Sequence, residues 1–327
     1  MNVQDKVAGI TSRMRLPVIV APMLRVSGPQ LVSSVCAAGA VGAFPTANAR
    51  TADELDSWLT QIESSLGSTA GAAPYCPNLI IRNPRLQDDL QVLLRHRVEM
   101  VITSVGSPAG VVAPLHDIGC LVFADVATIS HARKAIAAGA DGLILLTAGA
   151  GGQTGWVNGM AFARAVREFF DGPLVMAGGI SDGTALLAAQ VLGCDFGYMG
   201  TKFIATHESM ADENYKSMLV RTSLDDVLLT RAFTGLDTNM LRPSIEAAGL
   251  DPARLNEQVS ADEAKARYGG GKQVADGPRR WKDIWSAGHS VSGVSAVSSA
   301  ADVIETTLRE FEAAREQMFA RLTPTTA

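Results

Sequence analysis

Between Leu16 and Thr206 short apolar runs alternate with longer stretches whose apolar residues recur at helical spacing. The runs are Pro17 to Ala21, Ala40 to Phe44, Pro74 to Ile80, Met100 to Ser104, Cys120 to Ala124, Gly142 to Leu146, Pro173 to Ala177 and Phe196 to Met199, eight in all. The segments between them open on helix-start signals: Thr51-Ala52-Asp53-Glu54, Asn83-Pro84, Ser107-Pro108 and Thr128. Continuous apolar runs separated by amphipathic helices predict parallel strands buried on both faces. Eight such units favour a closed (β/α)8 barrel, a TIM barrel, over an open doubly wound sheet. The open sheet would call for a Gly-x-Gly-x-x-Gly turn after the first strand, where this chain has Ala21-Pro22-Met23.

Two of the later runs end on small residues: Ala177-Gly178-Gly179-Ile180-Ser181-Asp182-Gly183 and Met199-Gly200-Thr201-Lys202. Bare backbone N–H groups and helix N-termini at the close of a barrel predict an anion cradle, and so a phosphorylated cofactor or substrate. A further glycine run, Gly149-Ala150-Gly151-Gly152, follows the sixth strand without an acidic residue at ribose distance, which makes it poor evidence for a dinucleotide site.

Beyond Thr206 the strand rhythm stops, and helical, polar segments are expected from about Met210 to Arg267. Gly269-Gly270-Gly271 reads as a linker, and Ile304, Leu308, Phe311 and Met318 as a stripe packing a last helix back on the barrel. The expected organisation is a barrel over 1–206, a mainly helical cover over 207–299 and a terminal helix over 300–327.

Composition narrows the class. Hydrophobic residues make up 47% of the 327 and charged residues 19%, enough for a large core, and the net charge of −5 disfavours nucleic acid and anionic membrane as partners. No apolar stretch approaches the ~18 residues of a membrane span and the start lacks an export-signal pattern, so cytoplasm is the expected compartment. Cys36, Cys76, Cys120 and Cys194 are widely spaced and read as reduced core thiols; no metal site is expected.

The ordered set Ala21-Pro22-Met23, Asn78, Gly149 to Gly155, Ala177-Gly178-Gly179, Met199-Gly200-Thr201 and Ile284-Trp285-Ser286-Ala287-Gly288 resembles the nitronate monooxygenases, formerly 2-nitropropane dioxygenases, with their enoyl-reductase and quinone-reductase relatives. The resemblance runs over nearly the whole chain. It implies FMN across the C-terminal mouth of the barrel, with Ala21, Pro22 and Met23 backing the ring and Asn78 bonded to its polar side or ribityl chain. Asp125, Gly151, Gly152, Ala177, Gly178, Gly179, Met199, Gly200 and Thr201 would complete the cofactor site. Two positions depart from the pattern. Many relatives carry a base histidine after the glycine pair where this chain has Gln153, and several carry a lysine on the fifth strand where it has Asp125. An amide is no base near neutral pH.

Gln153, Asp125 and His289 are the catalytic candidates. Gln153 is either a donor at the mouth or a loop amide, Asp125 either faces the site or caps a turn, and His289 either supplies the missing imidazole or sits in solvent. His207 and Lys202 are weaker candidates; His96, His116 and His131 read as helix-surface residues. The resemblance implies oxidation of alkyl nitronates with O2 to carbonyl compound and nitrite. An NAD(P)H-dependent reductase of enones, enoyl thioesters or quinones is the alternative, and a flavin-free phosphate-binding isomerase or lyase is the reading from another class. The substrate is a small molecule in each case, and a homo-oligomer stays open.

Overall fold

The computed structural model describes residues 2–269 and 277–322. Along the chain the strands are β1 (Val18–Val20), β2 (Val41–Pro45), β3 (Tyr75–Ile80), β4 (Met100–Ser104), β5 (Leu121–Val126), β6 (Gly142–Leu146), β7 (Gly152–Gln153), β8 (Leu174–Ala177), β9 (Phe196–Met199), β10 (Val227–Thr230) and β11 (Thr238–Leu241). The helices are α1 (Val3–Thr11), α2 (Pro29–Ala37), α3 (Ala52–Leu66), α4 (Leu86–Arg95), α5 (Ala109–Asp117), α6 (Ile129–Ala137), α7 (Gly159–Arg167), α8 (Gly183–Val191), α9 (Thr201–Ile204), α10 (Glu213–Val220), α11 (Arg242–Ala247), α12 (Ala261–Tyr268) and α13 (Ala300–Leu322).

The eight strands β1 to β6, β8 and β9 close a parallel barrel in that order, with Val18 to Val20 paired to Gly197 to Met199 at the seam. This is the predicted TIM barrel. Thr51 and Thr128 cap α3 and α6, accepting from Glu54 N–H and His131 N–H at 3.1 Å each, as their sequence signals require.

Side chains alternate across each strand, so every second residue faces the barrel axis. Ile19, Val41, Ile102, Phe123, Ile144, Val175 and Phe196 fill that interior. One step further along their strands come Asn78, Ser104, Asp125, Leu146, Ala177 and Tyr198, the layer at the C-terminal mouth. At the other end, Ile10 of α1 joins the interior cluster with Val3 and Val7 against it, and the spacing of these residues gives one apolar helix face.

The appended region holds α10 to α12 and also a ladder where only helical, polar segments were expected. β10 pairs antiparallel with β11, and β11 pairs with β7, which belongs to the glycine run after β6 (Thr238↔Gln153, Asn239↔Gly152). Gly269 is the C-cap of α12; Gly270 and Gly271, the rest of the expected linker, lie outside the described residues. On α13 the stripe is real at Ile304, Leu308 and Phe311, whereas Met318 is exposed at 41% because the helix has passed the edge of the core by then. The four cysteines are buried and unpaired, and burial pushes the Cys36 thiol up to about 12. No described helix is long and apolar enough to cross a membrane, and no group of metal-ligating side chains gathers among the described residues.

Candidate active site

A cavity of about 1120 Å3 opens at the C-terminal mouth, lined by Ala21, Pro22, Met23, Asn78, Asp125, Gly149 to Thr154, Ala177 to Ile180, Tyr198, Gly200 and Thr201 and roofed by Trp281 and Trp285 to Ala287. The structure thus gathers into one space nearly all the residues singled out in the sequence. Of the expected cofactor residues Met199 alone is not on that wall. It is buried, and its carbonyl accepts from Ala21 N–H at 2.9 Å, which anchors the first wall segment.

Side-chain hydrogen bonds hold that segment. Buried Ser27 accepts from Met23 N–H at 3.0 Å and donates to the Ala21 carbonyl at 3.3 Å, while the Asn48 amide donates to the carbonyls of Met23 and Ser27 at 2.9 and 2.8 Å. Across the mouth the amide of Asn78 faces the Ser104 hydroxyl at 3.1 Å and donates to the Ile102 carbonyl at 3.3 Å.

The expected anion cradle falls on strand-end loops. Gly178 and Gly179 hold φ of 113° and 78°, a region open to glycine and costly for other residues. A Cβ on Gly178 would strike Thr147 Oγ1, whereas one on Gly179 would enter open space. The N–H groups of Gly178, Gly179 and Gly200 have no acceptor among the described residues. The expectation that helix N-termini also converge here is corrected at α8: Asp182 accepts from Ala185 N–H at 2.8 Å and Glu310 from Gly183 N–H at 3.1 Å, so two carboxylates already occupy that helix start. α9 is a single turn, and the Thr201 hydroxyl accepts from Gly288 N–H at 3.0 Å, tying the cradle to the roof.

The glycine run after β6 is a wall and not a second cradle. A Cβ on Gly151 would lie 2.6 Å from Gly288 N, so the roof segment and the run touch backbone to backbone. Buried Asn239 of β11 donates to the carbonyls of Ala148 and Ala150 at 2.9 and 2.7 Å and holds the run from above. Tyr215 of α10 stacks on Trp285 with ring centres 5.0 Å apart, and its hydroxyl donates to the Ser286 carbonyl.

The catalytic candidates separate. Gln153 is exposed, lines the cavity and sits opposite Thr238 in the ladder. Asp125 faces inward from β5: its Oδ1 is buried without a partner, and desolvation raises the carboxyl to about 7. A turn or helix-cap role for it is excluded, because Thr128 performs the capping. Tyr198, in the same layer, has its phenol pushed well above its usual value by burial and, secondarily, by Asp125. His289 is brought to the back of the glycine run, where its N–H donates to the Gly149 carbonyl at 3.0 Å; it is exposed and off the cavity wall. Lys202 and His207 are off the wall as well. Sequence reasoning missed Tyr198, Ser104, Asn239, Arg280 and Trp281. For Tyr198 and Ser104 the period-two register from Asn78 and Asp125 was the available signal.

The orphaned loop N–H groups and the open space at Gly179 fit a phosphate, and the apolar wall at Pro22 and Met23 fits the face of a flat ring. Comparison with known proteins agrees. The nitronate monooxygenase family model matches residues 84–310. The chain is 28% identical over 257 residues to an octahydroindene carboxyl-CoA dehydrogenase of Rhodococcus jostii, covering 77% of this chain and 71% of that protein. It is 27% identical over 281 residues to a nitronate monooxygenase of Paraburkholderia phytofirmans, covering 72% and 76%. Among solved structures, a nitroalkane oxidase from Streptomyces ansochromogenes superposes with a TM-score of 0.79 at 27% identity, covering 95% of this chain and 99% of that one. The chain belongs to the nitronate monooxygenase family and is an oxidoreductase of the flavin-dependent kind.

Proposed function

We propose that the enzyme binds FMN and oxidises alkyl nitronates with O2 to a carbonyl compound and nitrite. The observation that carries the reading is the pairing of a neutral-range carboxyl, Asp125, with the want of an imidazole at either expected base position. Gln153 is an amide, and His289 stands outside the cavity. A substrate that arrives already deprotonated needs no carbon base; it needs donors.

In this reading Gly178, Gly179 and Gly200 donate N–H groups to the FMN phosphate, and Pro22 and Met23 back the ring. When bound, the flavin supplies the electron acceptor and the oxygen chemistry. Asp125 holds a proton below about pH 7 and would present an O–H to the cavity. The Gln153 amide offers a second donor at the rim, and Trp285 to Ala287 roof the site against water. Once ionised, Asp125 repels the anionic nitronate.

Below about pH 7, where Asp125 keeps its proton and cannot act as a base, turnover of propyl nitronate is therefore expected to exceed that of neutral nitropropane by about 10² to 10⁴, the usual worth of general-base catalysis. Nitronate turnover is expected to fall as pH rises through about 7, and Asp125→Asn, whose amide donates at every pH, to flatten that fall. Equal turnover of the two substrate forms overturns the reading. The size of the cavity favours one second reading, reduction of an activated alkene by NAD(P)H. Anaerobic bleaching of the flavin by NADH or NADPH, and not by propyl nitronate, would select it.

A further inference from the structure

Buried polar side-chain atoms are ordinarily hydrogen-bonded, and six among the described residues are not. One belongs to Asp125, in the site. Four of the others gather on three residues: the Thr46 hydroxyl, one guanidinium nitrogen of Arg85 and both carboxylate oxygens of Asp89. Thr46 opens the short turn Thr46–Asn48 after β2, and Arg85 and Asp89 lie one turn apart at the start of α4. None of the three lines the cavity. The Asp89 side chain is 1% exposed, with Arg85 facing it at 3.5 Å, and desolvation raises its carboxyl. A buried pair of this geometry adds little to stability, and apolar side chains of like volume would pack α4 on the barrel as well or better. The pair calls for a role other than holding the helix down.

The second guanidinium nitrogen of Arg85 supplies one. It donates to the carbonyls of Ala49 at 2.8 Å and Thr46 at 3.3 Å, on either side of Asn48. The Ala49 N–H closes the turn on the same Thr46 carbonyl at 3.2 Å. Asn48 then gives its whole side chain to the loop after β1. Its amide nitrogen holds the carbonyls of Met23 and Ser27, and its oxygen accepts from Arg25 N–H at 2.9 Å. Arg25 holds φ at 61°, a conformation costly for a residue with a Cβ, so the loop keeps its path only while it is clamped. Met23, Leu24 and Val26 of that loop, and Pro45 just before the turn, are cavity wall. A continuous set of contacts therefore leads from Asp89 through Arg85 and Asn48 to the wall.

We propose that Arg85, braced by Asp89, is a positioning residue for the flavin site: it fixes the turn that carries Asn48, and through Asn48 the wall that backs the ring. It touches neither substrate nor cofactor. Without its grip Asn48 shifts, Arg25 relaxes out of the left-handed region, and Met23 is carried off the ring face. The inference rests on the flavin reading of the site, and it holds whichever substrate the flavin meets.

The test compares Arg85→Met, which keeps the aliphatic stem and removes the donors, with Asn48→Ala and with the two combined. Amide hydrogen exchange at residues 23–28 is read in the flavin-free protein, and the visible circular dichroism and dissociation constant of FMN in the loaded one. Each single variant is expected to speed exchange at Arg25 and Ser27 about tenfold, to shift the flavin band in the same sense and to weaken FMN binding about tenfold. Residues that act in series do not add, so the double variant is expected to match the stronger single one. Asp89→Asn at about pH 8, which leaves the Arg85 bonds and removes the charge beside them, serves where Arg85→Met does not fold; it is expected to move the same amides and band to a smaller degree. Faster exchange confined to α4, with residues 23–28 and the flavin band unaltered, would make Arg85 a support of the helix and overturn the proposal. Simple addition of the Arg85→Met and Asn48→Ala effects would overturn it as well. A wild-type protein that takes up no FMN removes the flavin reading, and exchange at residues 23–28 then still decides the clamp.

Discussion

At Asp125 the barrel places an ionisable group where its charge is unwelcome, and that position ties stability to pH. The carboxyl titrates near 3.9 in the unfolded chain and at about 7 in the folded one. Between those values the native state keeps a proton that the unfolded state has released, so stability falls as pH rises from about 4 to 7 and levels off above. Asp125→Asn removes the penalty: melting temperatures of the two proteins should coincide near pH 4 and diverge in favour of the variant by pH 8, as differential scanning calorimetry would show. A gap that is constant with pH would refute this origin. Gly179→Val tests the cradle. The variant combines backbone strain with a side chain in the open space, and dialysed protein should retain under about a tenth of stoichiometric flavin with its circular dichroism intact. At this scale the sequence was legible where a residue type is itself the signal, as with the glycine pair, and through the resemblance at Asn78 and Asp125. It was silent on Arg280 and Trp281, because an unpaired cation and a left-handed tryptophan are properties of surroundings and not of letters.

Among the elements, α8 and α13 pack backbone to backbone at Gly183. A Cβ on Gly183 would lie 2.0 Å from the Phe311 backbone nitrogen, so Gly183→Ala must push α13 outward. Overpacking of this kind costs about 1–3 kcal/mol, which a lower urea midpoint at unchanged slope would report; an unchanged midpoint would show that α13 is loosely held. The barrel strands could be read in advance because each is buried on both faces and so apolar throughout. β10 and β11 could not: they have four residues each, half of them polar in β11, β11 pairs with a loop strand of two residues, and nothing in its own pattern announces that partner. The same reason hid α1, whose apolar face makes sense only once the barrel interior it packs under is known.

For the molecule as a whole, the barrel supplies a fixed floor and the appended region a roof, and the contact between them runs through backbone. Gly151 meets Gly288, Asn239 grips the carbonyls of Ala148 and Ala150, and Thr201 holds Gly288. The placement of the floor residues around one cavity was foreseeable, because they come from regular strands at countable positions. The roof was foreseeable only as a resemblance, because its geometry depends on contacts between segments more than eighty positions apart, as in the bond from Asn239 to Ala148.

The ladder formed by β7, β11 and β10 also bears on how such enzymes can be recombined. Its third strand is coded some seventy residues ahead of the other two, inside the barrel, so the roof is not a transferable cassette. A hybrid that takes residues 207–299 from a relative inherits a sheet whose outermost member stays behind in the host. Grafts that carry 149–155 along with the roof keep donor and acceptor edges from one lineage, and that pair of segments is the smallest unit of exchange for engineering this mouth.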